Sequence, residues 1–208
     1  NDTTLVAVFD EPLDSSLAAQ PLHYTVDKNI NTPTTALVRP PLFSEVILSL
    51  PTPLQAGIVY QLTVNGITDC AGNPLSYQSK VRTGLPAPVT APSIVINEVL
   101  FNPPPNGYDY IELYNRGKAI ADLQELYIAN RLATGNLSNI SMLSHAPLLF
   151  FPGDYLVITA NSGWLKQQYP LPHPVNILQL SSLPSLPDDK GTLVLADRQG
   201  NIIDELHY

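Results

Sequence analysis

Ile94-Val95-Ile96-Asn97-Glu98-Val99-Leu100-Phe101-Asn102-Pro103 and Tyr110-Ile111-Glu112-Leu113-Tyr114-Asn115 are the two runs whose reading decides the fold. Each masses or alternates apolar and β-branched residues over the length of a strand, the pattern of a chain half-buried on a pleated surface. Between them, Asn102 to Gly107 is rich in Pro, Asn and Gly, which break extended structure with turns. The pair predicts a hairpin-like opening of an all-β domain.

The composition points the same way. Hydrophobic residues make up 44% of the 208-residue chain, enough for one large or two ordinary domains. Charged residues are only 13%, about half the usual share. The surface must then rely on Asn, Thr, Ser and Gln, which is common in secreted proteins and unusual for a cytosolic enzyme. The 21 prolines disfavour helix and suit turns and strand edges. The net charge is −8 and the 10 basic residues are scattered, so nucleic-acid binding, which needs a Lys/Arg patch, is disfavoured. Cys70 is the one cysteine, which excludes an internal disulfide and a Cys-based zinc site. No signal peptide and no apolar run of bilayer length is visible. The chain opens inside a strand-like run and closes on another, so it reads as a segment of a longer protein.

Gly84-Leu85-Pro86-Ala87-Pro88-Val89-Thr90-Ala91-Pro92 marks the expected boundary. Prolines at alternate positions favour extended polyproline geometry, so residues 85–92 are expected to be a semi-rigid linker; a long surface loop is the other reading. In residues 1–84, Leu5, Ala7 and Phe9 alternate with Thr4, Val6 and Val8. His23–Val26, Glu45–Leu50, Val59–Val64 and Lys80–Thr83 add further short strands. Asp14 to Ala19 predicts a helical turn capped by Asp14 or Ser15. In residues 93–208, Asp154–Thr159, Thr192–Ala196 and Ile202–Tyr208 read as strands, the last two joined by a turn over Asp197 to Asn201. Ser162 to Tyr169 predicts a short helix with Ser162 as cap and Trp164 as a core plug. Residues 131–147 form the least regular stretch. Short strands at turn spacing predict two β-sandwiches in series.

Phe9-Asp10-Glu11-Pro12-Leu13-Asp14, Tyr24-Thr25-Val26, Leu54 to Val64 and Ile67-Thr68-Asp69-Cys70-Ala71-Gly72-Asn73-Pro74 follow one another in a known order. The first segment thereby resembles the bacterial Ig-like domain of S-layer and other surface proteins. Its most specific element is Asp-x-Ala-Gly-Asn, where Gly72 can take positive φ and Asp69 and Asn73 can bond the turn's own backbone. That family has a further strand ahead of the point where this chain starts. Ile96-Asn97-Glu98-Val99, Tyr110 to Asn115, Leu123, Pro152 to Ile158, Leu193 to Asp197 and Gly200 to Asp204 form a second ordered set. They resemble the lamin tail domain, an Ig-like sandwich of nuclear lamins and many secreted bacterial proteins. Glu125-Leu126 stand where that family often has Gly-Trp, and its strand after the last tyrosine is absent here.

Candidate chemistry is sparse. Glu98 and Glu112 lie on neighbouring predicted strands, and a carboxylate pair can hydrolyse glycosides. Alternation turns Glu112 outward, and Glu98, in phase with Ile96 and Leu100, is expected to bond a turn backbone. Asp10, Glu11 and Asp14 crowd together, as do Asp188 and Asp189; calcium is conceivable in such loops, but the spacing fits no EF-hand and solvated turn acids are the default. His23, His145, His173 and His207 are spread singly, with no metal-site spacing. No other cofactor is indicated. Cys70 reads as a semi-buried thiol, with an exposed one as the alternative. Asn1, Asn136 and Asn139 head Asn-x-Ser/Thr triplets, which mean little in a bacterial chain. Tyr108, Tyr110 and Tyr114 cluster around the opening hairpin; they either pack on sandwich faces or form a ligand surface, including one for sugars.

The resemblances imply a secreted or cell-surface bacterial protein whose domains act as spacers, display modules or adhesion units. The expected function is a non-catalytic structural or interaction module. Its partners would be other domains of the parent chain and a protein or polysaccharide at the cell surface. A carbohydrate-binding accessory domain is the first alternative. An accessory segment of an extracellular hydrolase, such as a nuclease or phosphatase, is the second.

Overall fold

The computed structural model describes residues 2–75, 80–169 and 176–208; Asn1 and His173 lie outside them. The chain divides into two compact units, Asn1–Leu85 and Pro86–Tyr208.

The first unit holds β1 (Thr4–Val8), α1 (Ser15–Ala18), β2 (Tyr24–Val26), β3 (Thr35–Val38), β4 (Glu45–Ser49), β5 (Tyr60–Val64) and β6 (Lys80–Thr83). These strands form two antiparallel three-stranded sheets, β1-β4-β3 and β2-β5-β6. Because side chains alternate across a strand, register fixes the core. Leu5, Leu48 and Ala36 share one cross-strand row, and Val6, Ile47 and Leu37 share the next. The first row lies in the core and the second faces solvent. Asp14 Oδ1 accepts the Ser16 and Leu17 N–H groups at 2.8 and 3.2 Å, so Asp14, not Ser15, caps α1. The buried Tyr24 hydroxyl donates to the Ala18 carbonyl at 2.8 Å, tying α1 to the core.

The second unit holds β7 (Ile94–Leu100), β8 (Tyr110–Asn115), β9 (Ala121–Asp122), β10 (Leu126–Arg131), β11 (Leu137–Met142), β12 (Leu149–Phe150), β13 (Tyr155–Thr159), α2 (Ser162–Gln168), β14 (Asn176–Gln179), β15 (Thr192–Asp197) and β16 (Ile202–His207). Sheets β11-β10-β15-β16 and β14-β13-β8-β7, with the short pair β12-β9, enclose a second core. Ile111, Leu113, Leu126, Ile128, Ile158, Leu193 and Leu195 are fully buried there. The fold is all-β and Ig-like. The Ile96 N–H donates to Asp204 Oδ2 at 2.7 Å, linking β7 of one sheet to β16 of the other.

Several local expectations change. The stretch 131–147 contains β11, paired with β10, so it is less irregular than its Asn and Gly content predicts. Asn161 caps α2: its backbone is extended and its Oδ1 accepts the Trp164 N–H at 2.9 Å. Ser162 already lies inside the helix, and its hydroxyl donates to Gln179 Oε1 at 2.7 Å. The buried anchor of α2 is Leu165, and Trp164 is only half-buried. Leu126, at the position of the family's Gly-Trp departure, is fully buried as the first residue of β10. Residues 86–92 bond within the second unit: the Ala87 N–H donates to the Ile120 carbonyl at 2.9 Å, and Arg116 Nε donates to the Pro92 carbonyl at 2.7 Å.

Candidate functional site

Alternation along β8 buries Ile111 and Leu113 and turns Tyr110, Glu112 and Tyr114 to the outer face of the sheet. Tyr114 stacks on its register partner Tyr155, with centroids 4.5 Å apart and rings 22° from parallel. Tyr110 meets Tyr169 edge-on at 6.1 Å, Tyr169 meets Trp164 at 6.4 Å, and Trp164 meets Tyr108 at 6.0 Å. The three tyrosines of the sequence motif therefore divide. Tyr114 belongs to one stacked pair, while Tyr110 and Tyr108 end a chain of four rings around α2. Tyr108 is the exposed member of the three, at 39%.

The carboxylate pair is brought together but is already occupied. Ile96 opposes Leu113 and Glu98 opposes Glu112, so Asn97 is the extra residue of a β-bulge. The bulge resets the alternation and exposes Glu98, which was expected to be in phase with Ile96. Glu98 accepts from the Tyr110 hydroxyl rather than from a turn backbone. Burial, followed by this carboxylate, pushes the Tyr110 phenol above its ordinary range. Glu112 accepts from Asn97 Nδ2 at 2.7 Å. Each carboxylate thus has a donor, Tyr110 or Asn97, and no polarising cation is bonded to either among the described residues.

The remaining acids serve turns. Asp69 Oδ1 accepts the Ala71 and Asn73 N–H groups, both at 2.8 Å, and Asn73 Nδ2 donates to Asp69 Oδ2 at 2.7 Å. Asp197 does the same with Gln199, Asn201 and Asn201 Nδ2, at 2.9, 2.8 and 2.8 Å. Gly72 and Gly200 have φ of 90° and 84°, which the fourth position of this Asp-x-x-Gly-Asn turn requires. Cys70 occupies the second position and its side chain is exposed, not semi-buried, because the turn's interior is taken by the Asp69 carboxylate. Asp10, Glu11, Asp188 and Asp189 are exposed, and no group of three or more His, Cys, Asp or Glu side chains suited to a metal occurs among the described residues. His23, His145 and His207 do not converge; His207 Nδ1 is 2.8 Å from the Thr192 hydroxyl.

Hydrogen bonds from their turns hold the Asp69 and Asp197 carboxyls below the ordinary range, the Asn73 and Asn201 side chains contributing most. A carboxyl depressed on folding adds stability above its unfolded pKa, about 3.9 for Asp, and that stability disappears as pH falls through the lower folded value. The double variant Asp69→Asn/Asp197→Asn is therefore expected to lose less stability than the native chain as pH falls below about 4. Urea midpoints measured at successive pH values below about 4 check it; parallel curves would refute it.

Basic side chains are likewise engaged. Arg39 pairs with Glu45, Arg198 with Glu125, and Arg131 grips Glu205 through Nε at 3.0 Å and Nη2 at 2.7 Å.

One concavity combines an exposed ring with a carboxylate, and sequence reasoning found only its tyrosine. A shallow depression of about 420 Å³ lies between the loop carrying Tyr108 and Asp109 and the segment Leu183–Leu186. Gly107 lets that loop approach α2: a Cβ there would fall 2.7 Å from the Pro104 carbonyl and 2.9 Å from Trp164. The fully buried Thr159 hydroxyl donates to the Asp109 carbonyl at 2.9 Å. Asn130, 8% exposed, donates to the Ser185 carbonyl at 2.8 Å and accepts the Ser185 N–H at 2.9 Å, mimicking a strand partner. Two of the unit's few buried polar side chains therefore pin the two walls. The signal in the sequence is weak, since Asn130 and Ser185 are far apart and neither sits in a motif.

These features define an Ig-like β-sandwich with an open polar–aromatic surface. Residues 87–208 match the Lamin Tail Domain family. The chain belongs to the lamin tail domain family. Among solved structures it is similar to the N-terminal part of the bacterial S-layer protein SbsC, at 13% identity and a TM-score of 0.36, all of this chain aligning with 41% of that one. It is similar to the S-layer protein rSbsC(31-844) at 12% identity and a TM-score of 0.38, covering 39% of that chain. The chain thus spans about two fifths of the S-layer chains it matches. No curated protein matches it. No described helix is long and apolar enough to cross a membrane.

Proposed function

We propose that this chain is a non-catalytic interaction module of a larger secreted or cell-surface bacterial protein, its first unit a bacterial Ig-like domain placed before the lamin tail domain. The observation that carries the reading is the state of Glu98 and Glu112. They are the one carboxylate pair on facing strands singled out for hydrolysis, and each is consumed by a structural donor, Tyr110 or Asn97. Membership of the lamin tail family supports a structural domain over an enzyme. The low charge, 13%, supports an extracellular setting, and other domains of the parent chain are the expected immediate neighbours. The engaged arginines and the net charge of −8 speak against nucleic acid as partner.

The test is a panel of chromogenic glycosides, phosphomonoesters and phosphodiesters. The expected result is the same background rate for the native chain, Glu98→Gln and Glu112→Gln. Turnover that either substitution abolishes sinks the reading. A saccharide-binding role is the second reading, favoured by the exposed Tyr108 ring beside the depression.

A further inference from the structure

We infer that the depression formed by Tyr108, Asp109, Leu183, Pro184, Ser185 and Leu186 binds a neutral oligosaccharide, one pyranose ring lying on Tyr108 with a hydroxyl donating to the Asp109 carboxylate. The inference rests on the interaction-module reading and gives it a ligand class and a place.

Shape and lining select the class. The volume, about 420 Å³, falls in the range of small-ligand sites, roughly 300–1,000 Å³. The opening is shallow, which suits the side or end of a polymer. The lining is mixed and slightly more polar than apolar: the Tyr108 ring and Leu183 stand beside two directional polar groups, the Asp109 carboxylate and the exposed Ser185 hydroxyl, with Pro184 and Leu186 buried behind them. A pyranose matches this: C–H faces for the ring, hydroxyls for the acceptors. Hydroxyl donation to a carboxylate is charge-assisted and stronger than a neutral bond. Burial, and secondarily Asp188, holds the Asp109 carboxyl above its ordinary range, so its charge is poorly hydrated and gains from an added donor.

The same groups reject other classes. An anionic ligand would meet Asp109 and the nearby Asp188 with no cation in the lining. A cationic head held by rings needs several aromatic faces, and Tyr108 is the one ring in the wall. Rigidity favours binding too. Thr159 and Asn130 hold the two walls from within the protein, so little ordering is left to occur on association. They are positioning residues, since neither faces the depression.

Trp164, the chain's one tryptophan, stands 6.0 Å from Tyr108 and is a built-in reporter. The experiment follows Trp164 fluorescence while the chain is titrated with cello-, xylo-, chito- and galacto-oligosaccharides, alongside a glycan array and a lysine-rich peptide. At least one neutral oligosaccharide is expected to bind saturably. Tyr108→Ala and Asp109→Asn are each expected to weaken it by about tenfold or more. Tyr108→Phe, which keeps the ring, and Tyr155→Ala, in the separate stacked pair, are expected to leave affinity within about twofold. Far-UV circular dichroism of each variant establishes folding. Binding of a neutral glycan that survives both Tyr108→Ala and Asp109→Asn overturns this site while leaving the module reading standing. Silence towards every glycan, or preference for the cationic peptide, overturns the ligand class. Hydrolysis of a bound glycan instead overturns the module reading itself.

Discussion

An Asn115→Ala chain is expected to lose about 3 kcal/mol of stability in its second unit. Asn115 ends β8 and is 1% exposed. Its side chain donates to the Phe150 carbonyl at 2.9 Å and the Ala119 carbonyl at 3.1 Å, and accepts the Gly117 N–H at 3.1 Å. Its backbone bonds Asp154 and Gly153, at 3.0 and 2.7 Å. One amide thus joins the end of β8, the turn that follows it, and the turn between β12 and β13. Alanine keeps the backbone bonds but strips the amide donor from the Phe150 and Ala119 carbonyls, while the Gly117 N–H keeps its bond to the Ser93 carbonyl at 2.9 Å. A buried polar group left unpaired costs about 1–3 kcal/mol, and a truncation cavity adds to it. Water can reach part of the site from the half-buried Gly117 side, which lowers the sum towards 3. Asn115→Asp restores the acceptor but not the donor and should recover only a minor part. Urea unfolding followed by amide exchange on β8 and β13 measures both. A loss below about 1 kcal/mol would show that the two carbonyl contacts are replaced by solvent.

The strand pattern was legible where alternation was clean. Residues 94–100 and 110–115 announce β7 and β8 by alternation, and the same holds for β1, β4 and β5, while β13 is read from a continuous apolar run buried on both faces. β3 and β11 were missed for a physical reason. Thr35–Val38 buries only Val38 fully, and Leu137–Met142 buries none of its six residues fully, so neither needs a hydrophobic period to pair. What could not be read was parity across irregularities. One extra residue, Asn97, took Glu98 out of the phase expected with Ile96 and placed it on the surface, and no composition rule announces a bulge without glycine. Trp164 misled for another reason: its size suggested a core, yet α2 is anchored by Leu165 and uses Trp164 to meet Tyr108 and Tyr169. The depression was invisible because its walls come from segments some 75 residues apart, one held by Thr159 and the other by Asn130, which looks like an ordinary strand asparagine. The ligand-facing part of such a site shows in sequence as one tyrosine; the residues that make it rigid do not show at all.

Two neighbours on β4 are expected to behave in opposite ways: Leu48→Ala destabilises the first unit by about 3 kcal/mol, while Ile47→Thr changes it by less than about 1. The two residues are adjacent, both apolar, and both in the middle strand of β1-β4-β3. Composition and propensity cannot separate them; only the face can. Leu48 is fully buried between Leu5 and Ala36 in register, within the unit's core. Removing its branched end deletes buried methyl and methylene groups, each worth about 0.8 kcal/mol, and leaves a cavity that β-strands on either side cannot close without breaking register. Ile47 is half-buried and lies between Val6 and Leu37, which are 49% and 62% exposed, so its row faces solvent and not the core. Threonine keeps the β-branch that suits a strand and gives up little burial. The outer row survives as an apolar stripe only three residues wide, too small for a stable protein interface, which takes about 800 Å² per partner. Thermal and urea unfolding of the two variants, read through exchange of β4 and β5 amides, decides the matter. Equal losses in both would mean that the outer row is covered in solution and that the sheet's two faces are not distinguished as the register requires.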